Sequence, residues 1–390
     1  RRAGPDLGMI GGLGERRGRS RSRSRSEQGG RGGDHAGRAA GDGGRRAGTM
    51  VDWGTVREKT IRLVTLKSES LQVDVSSYGA TLVAVRVLAK DEWVDVLLGY
   101  ESLDQYTKGG KPNFSSLVGR CANRIAGGRF ELDGETHQLD RNNGDNHLHG
   151  GIEGYWQRPF DVDAKALSDT SVTLELSDPA GSMGYPGNVE LRVVYEVVGA
   201  ELHFRYEGKT DAPTLLNLTN HGYWNLKGHS GGDVRDHSLM VAGSQRTAVD
   251  DQLIITGELL NVKDTPFDLR ETPKRLEDTI RDAGPIDTNY CLDKVGPGTL
   301  AATLVGPNGI SMDVFTDQPG LQVYTGNMIG HKDHPDTWWR GKKTEWRQFG
   351  AISLEPQKWP DGIHHSHFPS MVLRPGETYR HHSYHRFRVE

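Results

Sequence analysis

The sequence predicts an all-β protein, a large antiparallel sandwich or barrel with few short helices. Three observations carry that expectation. After Val51, apolar and polar residues alternate through run after run, the period of half-buried strands. Helical periodicity is scarce. Clusters of Gly, Pro, Asn and Asp part the runs about every dozen residues, as hairpin connections require.

Residues 1–49 come first and differ in kind. They are Gly, Arg and Ser with almost no large apolar side chain, and Arg19 to Ser26 is a plain Arg-Ser alternation. Such a segment buries too little apolar area to offset its chain entropy, so disorder is expected. It reads as an incidental leader, or as sequence ahead of a true start at Met50. An RNA-binding or phosphorylatable tail is the sharper alternative. The first 50 residues hold twelve arginines, no lysine and five acids, so the net charge of −4 conceals an acidic body. That body lacks the basic surface a nucleic-acid grip needs.

Strands are then expected over Ile61–Leu66, Leu71–Val75 and Thr81–Leu88, with Ser76 to Gly79 as punctuation. Phe130–Glu135 reads as a hairpin. Alternation returns at Val172–Leu176, Val189–Val197 and Leu202–Tyr206. Further runs are Leu300–Val305, Ile310–Phe315, Leu321–Tyr324, Ala351–Leu354 and Tyr379–Val389. The best helix candidate is Pro273–Ala283, with Pro at its start and Gly284 just past its end. Residues 50–390 show no composition break and no fixed period, so a single domain is expected there.

The two cysteines, Cys121 and Cys291, form no CxxC, which implies neither a zinc ribbon nor a disulfide framework. No run approaches the roughly 18 apolar residues of a membrane span, and the arginine-bearing N-terminus has no apolar signal core. A soluble, cytoplasmic protein is the expectation, without nucleic acid or membrane as partner.

Six stretches hold residues able to do chemistry. GRCANRIAGGRF (119–130) offers Arg124, whose fork suits vicinal hydroxyls or a carboxylate. On spacing alone, a solvated turn arginine is the stronger reading. NNGDNHLHGG (142–151) presents His147 and His149, which share a face if the chain is extended. Nothing nearby supplies the third ligand a metal would need. NLTNHGYWNL (217–226) sets His221 among amides and aromatic rings, the groups that hold sugar hydroxyls and sugar C–H faces. IDTNYCL (286–292) has a lone carboxylate, Asp287, ahead of a strand-like run. QPGLQVYTGN (318–327) puts Gln322 and Tyr324 on one strand face. In LEPQKWPD (354–361), Glu355 ends an apolar strand before Pro356, a setting that raises carboxylate basicity. The clusters His364–His367 and His381–His382 lack glutamate partners at ligand spacing and read as surface or core histidines.

These six motifs, in this order, resemble the aldose 1-epimerase (galactose mutarotase) family, from about residue 55 to the C-terminus. The resemblance implies a β-supersandwich fold and an isomerase that needs no cofactor and no metal. It implies that Glu355 is the general base at the anomeric hydroxyl and His221 the general acid at the ring oxygen. It further implies that Asn123, Arg124, His149, Gly222, Tyr223, Asp287 and Gln322 bind an aldohexose such as galactose or glucose. The chain departs from the family pattern at Pro356, at Arg347-Gln348-Phe349, and in a long polar loop from His331 to Trp346 with Lys342, Lys343, Trp338 and Trp339. Oligomeric state, monomer or homodimer, is left open. The rival readings are a glycosidase using Asp287 and Glu355, a non-catalytic sugar-binding module, and a hexose-6-phosphate 1-epimerase using Arg124 and Arg120.

Overall fold

The computed structural model describes residues 49–109 and 113–390. The leader expected over 1–49 lies outside them, except for Thr49, which opens the first strand, Thr49–Val56.

Three antiparallel sheets hold most of the strand residues. The first has five strands in sequence order: Thr49–Val56, Lys59–Lys67, Leu71–Ser76, Thr81–Ala89 and Glu92–Asp95. The second has nine strands, with Glu201–Thr210, Tyr379–Val389 and Ile310–Thr316 side by side at its centre. Its strands alternate cleanly. In Val189–Val198 every second residue from Val189 is buried, the pattern of a sheet with one face on the core and one toward solvent. The third, called here the site sheet, runs in the order Ile255–Asn261, Gln245–Val249, Asp287–Cys291, Gly320–Tyr324 and Ser353–Gln357. One apolar core joins all three, with Val64 and Val73 from the first, Val193 and Tyr195 from the second, and Leu321 and Leu354 from the third. The all-β, antiparallel expectation therefore holds.

Local differences have local causes. The hairpin around Phe130 pairs Arg129–Leu132 with Glu135–Gln138 through Asp133-Gly134, both at positive φ, as a two-residue turn demands. The helix starts at Leu276 rather than Pro273, because Lys274 and Arg275 pair with Leu239 and Ser238 at the edge of the nine-stranded sheet. It ends before Gly284 at φ 78, as expected. A second helix, Leu103–Lys108, and the strands Ser238–Val241, Gln245–Val249 and Ile255–Asn261 were not foreseen. No helix among the described residues is long and apolar enough to cross a membrane.

Arg120 is a structural residue, not a ligand for phosphate. Its Nε donates to Asp178 Oδ2 at 2.6 Å, Nη1 donates to Pro186 O, Gly187 O and Thr214 Oγ1, and Nη2 donates to Asp178 O and Pro179 O. Asp178 also accepts from Tyr155 OH and Arg158 Nη1. The Arg120 and Asp178 side chains are 1% and 2% exposed. A pair buried this deeply is tolerated because every donor of the fork is used. Replacing Arg120 by Met is expected to cost roughly 3–5 kcal/mol, because it leaves carbonyls and a carboxylate buried without their donor. Urea unfolding measures it, and a midpoint shift too small for 1 kcal/mol would contradict this account.

Candidate active site

The site sheet forms one wall. Asn289 pairs with Gln322 and Gln322 with Glu355; Asp287 pairs with Tyr324 and Tyr324 with Ser353. Directly paired residues share a face, and the period of two carries that face along each strand. One side of the sheet thus collects Asp287, Gln322, Tyr324, Ser353 and Glu355. Between them Leu321, Val323 and Leu354 enter the core, as does Tyr290 next to Asn289, whereas Thr288 reaches the cavity. Pro356 does not end the strand after Glu355, as expected, but sits within Ser353–Gln357 opposite Leu321. That strand is the last of its sheet, where a missing N–H need not cost a ladder bond. Asp287 likewise is the first residue of its strand rather than a turn residue ahead of it.

The facing wall comes from residues 113–151 and 217–226. Asn123 and His149 hold each other. The Asn123 backbone N–H donates to His149 Nδ1 at 3.1 Å, and the His149 N–H donates to Asn123 O at 3.0 Å. Both sit at positive φ, 61 and 54, a region that Asn and His enter more readily than most residues. An N–H can only donate, so Nδ1 of neutral His149 is an acceptor and its proton rides on Nε2. The bend at His149 also breaks the alternation expected of the two histidines. His147 points away and is buried between Asp140 O at 2.7 Å and Tyr185 OH at 2.8 Å. Arg124 is aimed by Nε donating to Asn143 Oδ1 at 2.9 Å.

His221 is 6% exposed and Glu355 2%. Their Nε2 and Oε1 atoms stand 3.7 Å apart. Ser353 Oγ lies 3.3 Å from His221 Nδ1, and the Tyr223 ring stacks on the imidazole at 4.8 Å and 7°. The three asparagines of the strip are scaffold. Asn217 exchanges two bonds with the Lys358 backbone, Asn220 donates to Ser115 O, and Asn225 donates to Gly232 O and Gly350 O.

These walls enclose a cavity of about 550 Å³ lined by Asn123, Arg124, His149, His221, Tyr223, Asp287, Gln322 and Glu355, among others. Gly222 does not line it. Its α-carbon faces the Trp224 indole, where a Cβ would come within 2.9 Å. Tyr324 lines it on the strand face it was expected to share with Gln322. Ser353, unnoticed in the sequence, is buried against His221 Nδ1 and does not line the cavity. Arg246 has no sequence signal, since it stands in an unremarkable strand. Among the described residues, no group of three or more His, Cys, Asp or Glu is arranged to hold a metal ion.

Burial dominates the electrostatics. It pushes the Asp287 carboxyl above the usual range, against the pull of the Arg124 guanidinium and of Gln322 Nε2, which donates at 2.6 Å. Burial lowers Arg124, with Asp287 and Asp250 opposing. It also drives the Tyr223 and Tyr324 phenols well up, helped by neighbouring carboxylates, so both stay protonated.

A carboxyl whose folded value is raised favours the fold at acid pH, and that contribution is lost as pH rises through the folded value. Asp287→Asn is therefore expected to raise Tm by a few degrees at neutral pH, with the gain vanishing at pH below the ordinary carboxylate range. Thermal scans at the two pH values check it, and a lower Tm at neutral pH refutes it.

The chain matches the family model described as aldose 1-epimerase over residues 62–385. It is 36% identical over 335 residues to a galactose mutarotase from Bos taurus, covering 85% of this chain and 95% of that protein. It is 32% identical over 334 residues to an aldose 1-epimerase from Escherichia coli K12, covering 82% and 92%. Among solved structures it resembles a galactose 1-epimerase from Lactobacillus acidophilus, with TM-score 0.75, 28% identity and coverage of 89% and 99%. An aldose epimerase homologue from C. elegans gives TM-score 0.77 at 27% identity, covering 84% and 98%. With the sheet, the cavity and these relatives in agreement, the chain belongs to the aldose 1-epimerase family.

Proposed function

We propose that the protein interconverts the α and β anomers of galactose and glucose, with Glu355 as general base and His221 as general acid. The observation that carries this reading is the 3.7 Å approach of His221 Nε2 to Glu355 Oε1 within the cavity. Ring opening needs one proton taken and one given. Glu355 takes the proton of the C1 hydroxyl, the C1–O1 bond becomes a carbonyl, and the C1–O5 bond breaks. O5 receives the proton of His221 Nε2. The aldehyde then turns about C1–C2 and recloses, with the two residues in exchanged roles. A protonated His221 donates from both ring nitrogens, and Ser353 Oγ is placed to accept at Nδ1.

Sugar hydroxyls are assigned to Asp287, Gln322, Arg124 and Asn123. His149, with its proton on Nε2, acts as a donor near the ring oxygen. All these groups fall within residues 50–390, so the chemistry is assigned to that domain and none of it to the leader. Two unpaired, buried cysteines support a reducing, cytoplasmic setting. Burial pushes each thiol up to about 12, so neither supplies a nucleophile.

Glu355→Gln and His221→Asn are each expected to slow polarimetric mutarotation of α-galactose by at least roughly a hundredfold while leaving the fold intact. A rate within a few-fold of wild type for either variant would falsify its role. The hexose-6-phosphate reading loses Arg120 but has one observation in its favour. Arg246 lines the cavity over the Phe267 ring at 4.0 Å, with no carboxylate partner among the described residues. If glucose 6-phosphate is the substrate, it competes with galactose at a lower concentration than glucose does, and Arg246→Leu abolishes that advantage. The neutral-sugar reading expects no such advantage.

A further inference from the structure

The polar loop His331 to Trp346, a departure from the family pattern, supplies no residue to the cavity. It is nonetheless firmly docked. Lys342 Nζ donates to Asp95 Oδ2 at 2.7 Å and to Leu97 O at 2.8 Å. Tyr100 OH donates to Trp338 O at 2.7 Å, and Trp346 Nε1 to His229 O at 2.9 Å. These anchors bring the Trp346 indole, 3% exposed, to the end of a series of near-parallel rings. Trp346 stacks on Phe114 at 5.4 Å and 30°, Phe114 on Tyr223 at 4.6 Å and 23°, and Tyr223 on His221 at 4.8 Å and 7°.

We propose that Trp346 and Phe114 are positioning residues, through which the loop fixes the plane of the His221 imidazole. Backbone bonds from His221 N to Ser116 O and from Ser115 N to His221 O hold the main chain. They leave the side-chain torsions to be set by packing together with the Ser353 contact at Nδ1. The Tyr223 ring lies nearly parallel to the imidazole in an offset stack, so a tilt of the phenol ring bears on the histidine. Phe114 and Trp346 restrain that tilt from a distance, and neither lines the cavity. The geometry of Nε2 relative to Glu355 and the ring oxygen then depends on the stack. Proton transfer is sensitive to such placement, whereas sugar binding through Asp287, Gln322 and Arg124 is not. This inference rests on His221 being the general acid.

The test is steady-state polarimetry on Trp346→Leu and Trp346→Phe, with His221→Asn beside them. Leu keeps the site apolar but removes the flat face, and Phe restores a face. The expected result is a fall in kcat on the order of tenfold or more for Trp346→Leu, with KM within about twofold and with kcat largely recovered in Trp346→Phe. An unchanged kcat, a loss confined to KM, or a failure of Phe to rescue overturns the proposal. If Trp346→Leu does not fold, Phe114→Leu and Phe114→Tyr are read by the same criteria. Wild-type activity in His221→Asn removes the acid assignment and the proposal with it. Loss of activity in His221→Asn beside a normal Trp346→Leu removes the stack alone.

Discussion

The site depends on one register, the pairing of Gln322 with Glu355 in the antiparallel strands Gly320–Tyr324 and Ser353–Gln357. In that register Leu321, Val323 and Leu354 enter the core while Gln322, Tyr324 and Glu355 face the cavity and Ser353 meets His221. A slip of one residue would exchange the two sets, burying a carboxylate and an amide among aliphatic groups. The hydrophobic effect that packs the core therefore also selects which residues reach the sugar. Glu355 needs no separate device to be aimed. It is aimed by its apolar neighbour on the other face.

The opposite wall obeys a different rule. It has little regular structure, and amide side chains do there what a ladder does in a sheet. Asn217, Asn220 and Asn225 saturate backbone groups on either side of His221, and Asn123 with His149 forms a closed two-bond unit. Buried polar groups left unpaired would be costly, so the density of asparagine follows from burying irregular chain. Asp287 shows the limit of this economy. Its carboxyl sits in the cavity at the expense of its own ionisation, and Arg124 only partly relieves it.

Much of this was legible in the sequence. Period-two alternation located Leu71–Ser76, Val189–Val198 and Tyr379–Val389 within a residue or two, because buried side chains recur at every second position in each. The motif residues met in one cavity, with Gly222 excepted. What stayed hidden has physical reasons. Ser238–Val241 and Gln245–Val249 are too short, and in the second case too polar, to announce themselves as strands. Pro356 reads locally as a terminator, and only the edge position of its strand makes it acceptable. Gly222 stands between two cavity residues, yet its α-carbon faces the Trp224 indole, a placement that motif membership obscures. The docking of Lys342 on Asp95 and the stack ending at Trp346 join residues far apart in the chain, and no local pattern encodes them.

The contact between Ser353 Oγ and His221 Nδ1 spans 132 positions, and that between Tyr100 OH and Trp338 O spans 238. Such closures are slow and entropically costly until the sheets around them exist. His221 and Glu355 therefore sit on segments that only the closed sheets bring within 3.7 Å. Recovered anomer exchange is therefore a readout of long-range closure rather than of local structure.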